Sequence, residues 1–143
     1  IFKEFGVDYE VLLASAHRTP AAVREFVTTA EERGIGAFVV GAGMAAHLPG
    51  VVASYTTLPV IGVPLESGSL QGMDALLAIV QMPSGIPVAT VAINGAKNAA
   101  LLAVQIGAVS DAELAKKYKA YRENMANEVM AKNQKLQEDV KAL

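Results

Sequence analysis

The chain has no cysteine and no tryptophan, and charged residues make up only 18% of its 143 positions. Without cysteine there is no disulfide framework, thiol nucleophile or thiolate metal site, which fits a reducing compartment; the cytoplasm is expected. Two histidines and carboxylates without ligand spacing make a zinc centre unexpected. Twelve Lys and Arg against fourteen Asp and Glu leave a net charge of −2, with no basic footprint for nucleic acid. A phosphate loop ending in Gly-Lys-Ser/Thr is missing, and no Ser-His-Asp order stands out.

Charge is absent altogether between Arg33 and Glu66, a stretch long enough to span a bilayer. Gly41, Gly43, Pro49, Gly50, Pro59, Gly62 and Pro64 cut it into pieces too short to do so, and no membrane association is expected. No secretory signal is visible. What the chain has in excess is apolar residues, at 52%. That points to a sheet covered on both faces, with more surface buried between subunits.

Apolar runs and helical periodicity alternate. Ile1–Gly6 reads as the last turn of a helix, with Gly6 as its C-terminal cap. Strands are expected at Tyr9–Ala14, Ala37–Val40, Val60–Val63 and Val88–Ala92. Helices are expected at Pro20–Arg33, stopped by Gly34, over the Met44–Ser54 stretch, at the Met73/Leu76/Leu77/Val80 pattern, and at Asn98–Ile106. The last of these is so apolar that burial all round is expected. Asn94-Gly95 and Pro83-Ser84-Gly85 read as turns. The alternation predicts one α/β domain over 1–109 with a parallel sheet, a further strand being expected before Ile1. Ser110 and Glu113 predict a capping box opening a helix that runs to about Leu143. Its stripe of Leu114, Tyr118, Tyr121, Met125, Val129, Leu136, Val140 and Leu143 is longer than a small sheet can cover. Residues 110–143 are therefore expected to form an arm on a neighbouring subunit, rather than a helix packed only on its own core.

The segment Leu12–Pro20 organises the rest. An apolar run ends in a polar turn, and a helix starts at Pro20 with Thr19 as N-cap. In open α/β sheets ligands bind beyond the carboxyl ends of the strands. Ser15, His17 and Arg18 fall at such an end, so His17 is a candidate for proton transfer on an anionic substrate. The plainer alternatives are a structural histidine, a surface ion pair for Arg18 and a turn hydroxyl for Ser15. Gly41-Ala42-Gly43 follows a strand and allows close backbone approach to a ligand, or is only a tight turn. His47 either binds substrate or caps the core.

Three stretches together carry a resemblance: Ser15-Ala16-His17-Arg18-Thr19-Pro20, Gly41-Ala42-Gly43-Met44-Ala45-Ala46-His47-Leu48-Pro49-Gly50 and Ile79-Val80-Gln81-Met82-Pro83. In this order they resemble the bacterial purine-biosynthesis family of 5-(carboxyamino)imidazole ribonucleotide mutases, also called the catalytic subunit of phosphoribosylaminoimidazole carboxylase. The resemblance covers essentially the whole chain. It implies a flavodoxin-like three-layer sandwich, a homo-octamer with sites at subunit interfaces, a ribonucleotide substrate and no cofactor. It implies His17 as the catalytic acid and base and Arg18 as the phosphate ligand. Ser15, Gly41, Ala42, Gly43, His47 and Leu48 map onto the family's substrate pocket. The implied reaction moves a carboxylate from nitrogen to a ring carbon. Direct carboxylation of aminoimidazole ribonucleotide by carbon dioxide, or a non-catalytic nucleotide-binding module, are the alternatives.

Two departures accompany it. Met44 stands where the family pattern has Gly, and a narrowed pocket rim is expected. The family's first strand and its Gly-Ser-x-Ser-Asp loop would precede Ile1. A protein lacking them is expected to be inactive, so further chain upstream is expected.

Overall fold

A computed structural model describes residues 1–143. Its centre is a parallel sheet of β1 (Phe38–Gly43), β2 (Val60–Leu65) and β3 (Ala89–Thr90), in that order. Phe38 pairs with Val60 and the register runs to Gly43 opposite Leu65; β3 adds only Ala89 and Thr90, opposite Ile61 and Gly62. Six helices surround the sheet: α1 (Phe2–Phe5), α2 (Pro20–Thr28), α3 (Leu48–Tyr55), α4 (Met73–Val80), α5 (Ala96–Ala108) and α6 (Ala112–Lys141). No helix is long and apolar enough to cross a membrane.

Alternation along the strands builds the layers, because successive side chains point to opposite faces. Phe38, Val40 and Val60 meet Val23 and Val27 of α2 and Val52 and Ala53 of α3. Ile61 and Val63 point the other way, onto Ala99 of α5. Five of the six β2 residues are buried, as a strand covered on both faces requires. Gly62 is where α4 comes closest: a Cβ there would collide with Cγ2 of Ile79 and lie 3.0 Å from Val88.

Several expectations need correction. Tyr9–Ala14 is extended but is not a strand, since no backbone hydrogen bond joins it to a neighbour. A strand exists only through its ladder, and this segment stands off from β1 across a cleft of about 760 Å³. The cleft is also lined by Val23, Phe26 and Val27 of α2 and by Ala103, Val104 and Ile106 of α5. Leu13 is consequently 99% exposed. Glu10 holds the segment in place through Arg33, with Nε 3.0 Å from the carboxylate. The helix from Pro20 breaks at Thr28, and a 3₁₀ turn at Glu31–Arg33 carries the chain to Gly34, whose φ of 78° ends it. On α4 the buried residues are Ala75 and Ile79, whereas Met73, Leu77 and Val80 are exposed. Helix α5 buries Ala99, Leu101 and Val104 only, not its whole girth.

The cap of α6 is Asp111, not Ser110: its carboxylate accepts from the backbone N–H of Glu113 at 2.9 Å and of Leu114 at 3.0 Å. The Ser110 hydroxyl donates back to the Gly107 carbonyl. The first turns of α6 belong to the core. Leu114, Tyr118 and Tyr121 pack on Phe5, Leu101 and Val104, and Lys117 Nζ donates to the Phe5 carbonyl at 2.9 Å. Lys97, facing Tyr121 from α5, has its pKa raised, chiefly by that tyrosine. Beyond these turns α6 buries nothing, and Met125, Val129, Met130, Leu136 and Val140 are exposed.

Candidate active site

The carboxyl end of β1 meets the turn before α2. Ser15 closes that turn on itself: its backbone N–H donates to Thr19 Oγ1 at 2.8 Å, and its carbonyl accepts from the Thr19 N–H at 2.9 Å. Its hydroxyl accepts from the Arg18 N–H at 3.2 Å. Thr19 precedes α2 at the N-cap position, yet its side chain bonds to Ser15 and not to the helix. The clasp leaves His17 and Arg18 projecting from the turn, both exposed.

On the other side, β1 ends in Gly41-Ala42-Gly43 and the chain reverses before α3. The Ala46 N–H donates to the Gly43 carbonyl at 3.0 Å. Met44 and Ala46 take positive φ values of 54° and 40°, a left-handed conformation that non-glycine residues rarely adopt. Ala46 is 4% exposed and packs with Ala75 and Ile79, so the core beneath holds the turn in shape. Met44 occupies a backbone position that favours glycine, and its exposed side chain stands at the rim of the hollow below.

Between the two turns lies a hollow of about 380 Å³, lined by Ser15, His17, Arg18, Gly41, Ala42, Gly43, His47 and Leu48 among others. The structure therefore brings together all eight site residues expected from the sequence. The His17 ring opens into the hollow and is not walled into the core. It meets His47: Nε2 of His17 lies 2.5 Å from Nδ1 of His47, with ring centroids 4.7 Å apart. The hollow offers two imidazoles, one guanidinium, a hydroxyl and a glycine turn. That set can hold an anion and move a proton. No group of three or more His, Asp or Glu side chains is placed to hold a metal ion.

Sequence reasoning passed over two features of this edge. Thirty residues separate the histidines, and no spacing rule announces their contact. The loop after β2 is locked beside the hollow: Asn94 Oδ1 accepts from the Glu66 N–H, and Asn94 Nδ2 donates to the Glu66 carboxylate, each at 3.0 Å. Behind Gly43 sits the Ser67 hydroxyl, buried without a partner, where a Cβ on Gly43 would strike it. The loop's cluster of Glu66, Ser67, Gly68 and Ser69 after a buried strand was the available signal.

A parallel sheet between helical layers, with a polar hollow at its strand ends, defines a flavodoxin-like α/β protein with its site where such folds bind small molecules. The solved structure of PurE from Treponema denticola has the same architecture, with a TM-score of 0.83 at 33% identity over 94% of this chain and 84% of that one. The chain belongs to the AIR carboxylase family, whose model matches residues 1–128. It is 56% identical over 138 residues to the N5-carboxyaminoimidazole ribonucleotide mutase of Thermotoga maritima, covering 96% of this chain and 81% of that protein. With the enzyme of the same name from Saccharolobus solfataricus it shares 58% identity over 131 residues, 92% of this chain and 83% of the relative.

Proposed function

We propose that this protein is an N5-carboxyaminoimidazole ribonucleotide mutase of purine biosynthesis, with His17 as its acid and base. The observation that carries the assignment of His17 is its ring, open to a hollow at the sheet's carboxyl edge and flanked by Arg18 and the Gly41–Gly43 turn. The substrate carries a carboxylate on an exocyclic nitrogen. As that N–C bond breaks and carbon dioxide leaves, His17 gives the nitrogen a proton. The ring carbon then bonds to carbon dioxide and loses its own proton to His17. Protons and electrons balance, and no oxidant or carrier is consumed. One imidazole within reach of both atoms serves both steps. Holding the gas beside the ring makes its recapture effectively unimolecular.

Arg18 is assigned to the substrate phosphate, where a fixed, forked cation suits a dianion. Gly41, Ala42 and Gly43 let the backbone approach the substrate, and Ser15, His47 and Leu48 complete the wall. Direct carboxylation by free carbon dioxide is not favoured, because the relatives at 53–59% identity carry the mutase name.

The part of α6 beyond Tyr121 is assigned as an arm on a neighbouring subunit within a cytoplasmic homo-octamer whose sites lie at subunit seams; Leu114, Tyr118 and Tyr121, expected on that arm, pack on their own core instead. The exposed apolar stripe of α6 supports this reading, as does the exposed face of Met73, Leu77 and Val80. A subunit across the hollow would also close it against loss of carbon dioxide.

The test is His17→Asn. The variant is expected to fold and assemble but to convert the carbamate at least ~100-fold more slowly, the lower range for a lost acid–base group. Turnover near that of the parent protein would overturn the assignment.

A further inference from the structure

Two residues in the turn after β1 share a left-handed backbone, and packing explains only one of them. Ala46, at φ 40°, is 4% exposed and pressed onto Ala75 and Ile79, so the core imposes its conformation. Met44, at φ 54°, is 61% exposed and packs in no core cluster. Glycine adopts that conformation at no steric cost, so the turn itself gains nothing from a methionine. Non-glycine residues persist there only where something over-determines them, and they gather at ligand sites. The feature that Met44 does reach is the hollow, on whose lining it lies.

The polar groups of the hollow come from Ser15, His17, Arg18 and His47. Apart from Met44, its apolar lining consists of alanines, glycines and Leu48. Leu48 is committed elsewhere, packed on the core formed by α2, α3 and the sheet. Met44 is the one large apolar side chain on the lining with freedom to move. An unbranched thioether adapts its shape and settles favourably against the edge of an aromatic ring. A ribonucleotide held at His17 and Arg18 brings an aromatic imidazole ring to this mouth.

We propose that Met44 is a substrate-contact residue: its side chain folds over the ring of the bound ribonucleotide and closes the mouth of the hollow. This rests on the reading of the hollow as the ribonucleotide site. The cover matters most in the middle of the reaction. When the N–C bond breaks, its electron pair stays on the nitrogen, which takes a proton from His17, and carbon dioxide is free. If the gas escapes, the amine departs as aminoimidazole ribonucleotide, His17 regains its proton from water, and the turnover is lost. Carbon dioxide carries no charge for Arg18 or a histidine to grip. An apolar wall that excludes water retains it.

Peroxide reads the contact on the intact protein without turnover. Aminoimidazole ribonucleotide, the substrate lacking its carboxylate, is expected to slow oxidation of Met44 several-fold, as read by peptide mass. Met73 and Met130, 51% and 63% exposed, are expected to oxidise at unchanged rates. Binding of the same ribonucleotide is measured by calorimetry. Absence of binding removes the ribonucleotide reading and this proposal with it; binding without protection of Met44 overturns the contact alone. Met44→Ala keeps a Cβ in the turn and removes the thioether. Its KM is expected to rise about 2–10-fold, the range of a thioether–aromatic contact, and Met44→Leu is expected to recover most of that. An unchanged KM in Met44→Ala overturns the contact. With ¹³C in the transferred carboxylate and unlabelled bicarbonate in solution, Met44→Ala is expected to give more unlabelled product than the parent. Label retained to the parent's level overturns the part of Met44 in holding the gas. Met44→Gly is expected to keep or raise the thermal midpoint, because strain is relieved and no packing is lost. A lowered midpoint makes Met44 a support of the turn and overturns the argument from strain.

Discussion

Gly62 in β2 lies under Ile79 of α4, and the pair makes a quantitative prediction. A Cβ at 62 would collide with Ile79 Cγ2 and come within 3.0 Å of Val88 Cγ1 and 3.4 Å of Pro49 Cβ. Ile79 is 1% exposed and has no room to retreat. Overpacking by one methyl in such a place costs about 1–3 kcal/mol. The smaller entropy of the unfolded alanine chain returns about 0.4–1 kcal/mol. Gly62→Ala is therefore expected to lose about 1–2 kcal/mol. Ile79→Ala alone leaves a cavity and is expected to lose about 2–5 kcal/mol. In the double variant the new methyl enters that cavity, so the two losses should not add. A favourable coupling of about 1–2 kcal/mol is expected, within the range for residues in contact. Urea unfolding at a fixed protomer concentration measures it, and at a slope of about 2 kcal/mol/M the coupling moves the midpoint by roughly 0.5–1 M. Losses that add to within about 0.5 kcal/mol would show that the α4–sheet distance is not set by this contact. Since Gly62 does not line the hollow, kcat should hold in Gly62→Ala at temperatures where it stays folded.

Arg18→Ala should raise KM for the ribonucleotide far more than it lowers kcat, and an unchanged substrate affinity would remove Arg18 from the phosphate site. Asp111→Ala should destabilise the protein by about 0.5–2 kcal/mol through the lost cap of α6, whereas Ser110→Ala should fall within about 0.5 kcal/mol of the parent; thermal unfolding distinguishes them. Val129→Lys combined with Leu136→Lys should reduce the oligomer mass seen by light scattering. An unchanged mass would show that the exposed stripe of α6 does not hold subunits together.

The parts of the fold legible in the sequence are those in which local pattern and tertiary burial agree. Val23 and Val27 repeat at helical spacing, and both face the sheet. Phe38–Val40 and Val60–Val63 are continuous apolar runs; helices cover the second on both faces, whereas in the first Phe38 and Val40 are covered and Val39, facing the other way, is exposed. Tyr9–Ala14 has the same composition but lacks a hydrogen-bonded partner, and no pattern within a segment reveals its ladder. On α4 nearly every residue is apolar, so periodicity does not choose a face. Small Ala75 and Ile79 won because the helix approaches Gly62 closely. The cap of α6 went to Asp111 over its neighbour Ser110 because the carboxylate reaches two N–H groups. The components of the hollow could be read individually, since strand ends and glycine turns have local signatures. The pairing of the two imidazoles could not, since it depends on how two distant turns are set side by side.

The clasp between α1 and α6 couples remote parts of the polypeptide. Four helical residues are far too few to hold their shape alone; here Phe5 is 2% exposed only because Leu101, Val104, Tyr118 and Tyr121 enclose it. Lys117 adds a bond across 112 positions of sequence. Whatever loosens the early turns of α6 must also free residues 2–7, and with them the tether of the segment leading to His17. A protease nick near Tyr118 would therefore leave the segment leading to His17 held by the Arg33–Glu10 ion pair and the Ser15–Thr19 clasp alone.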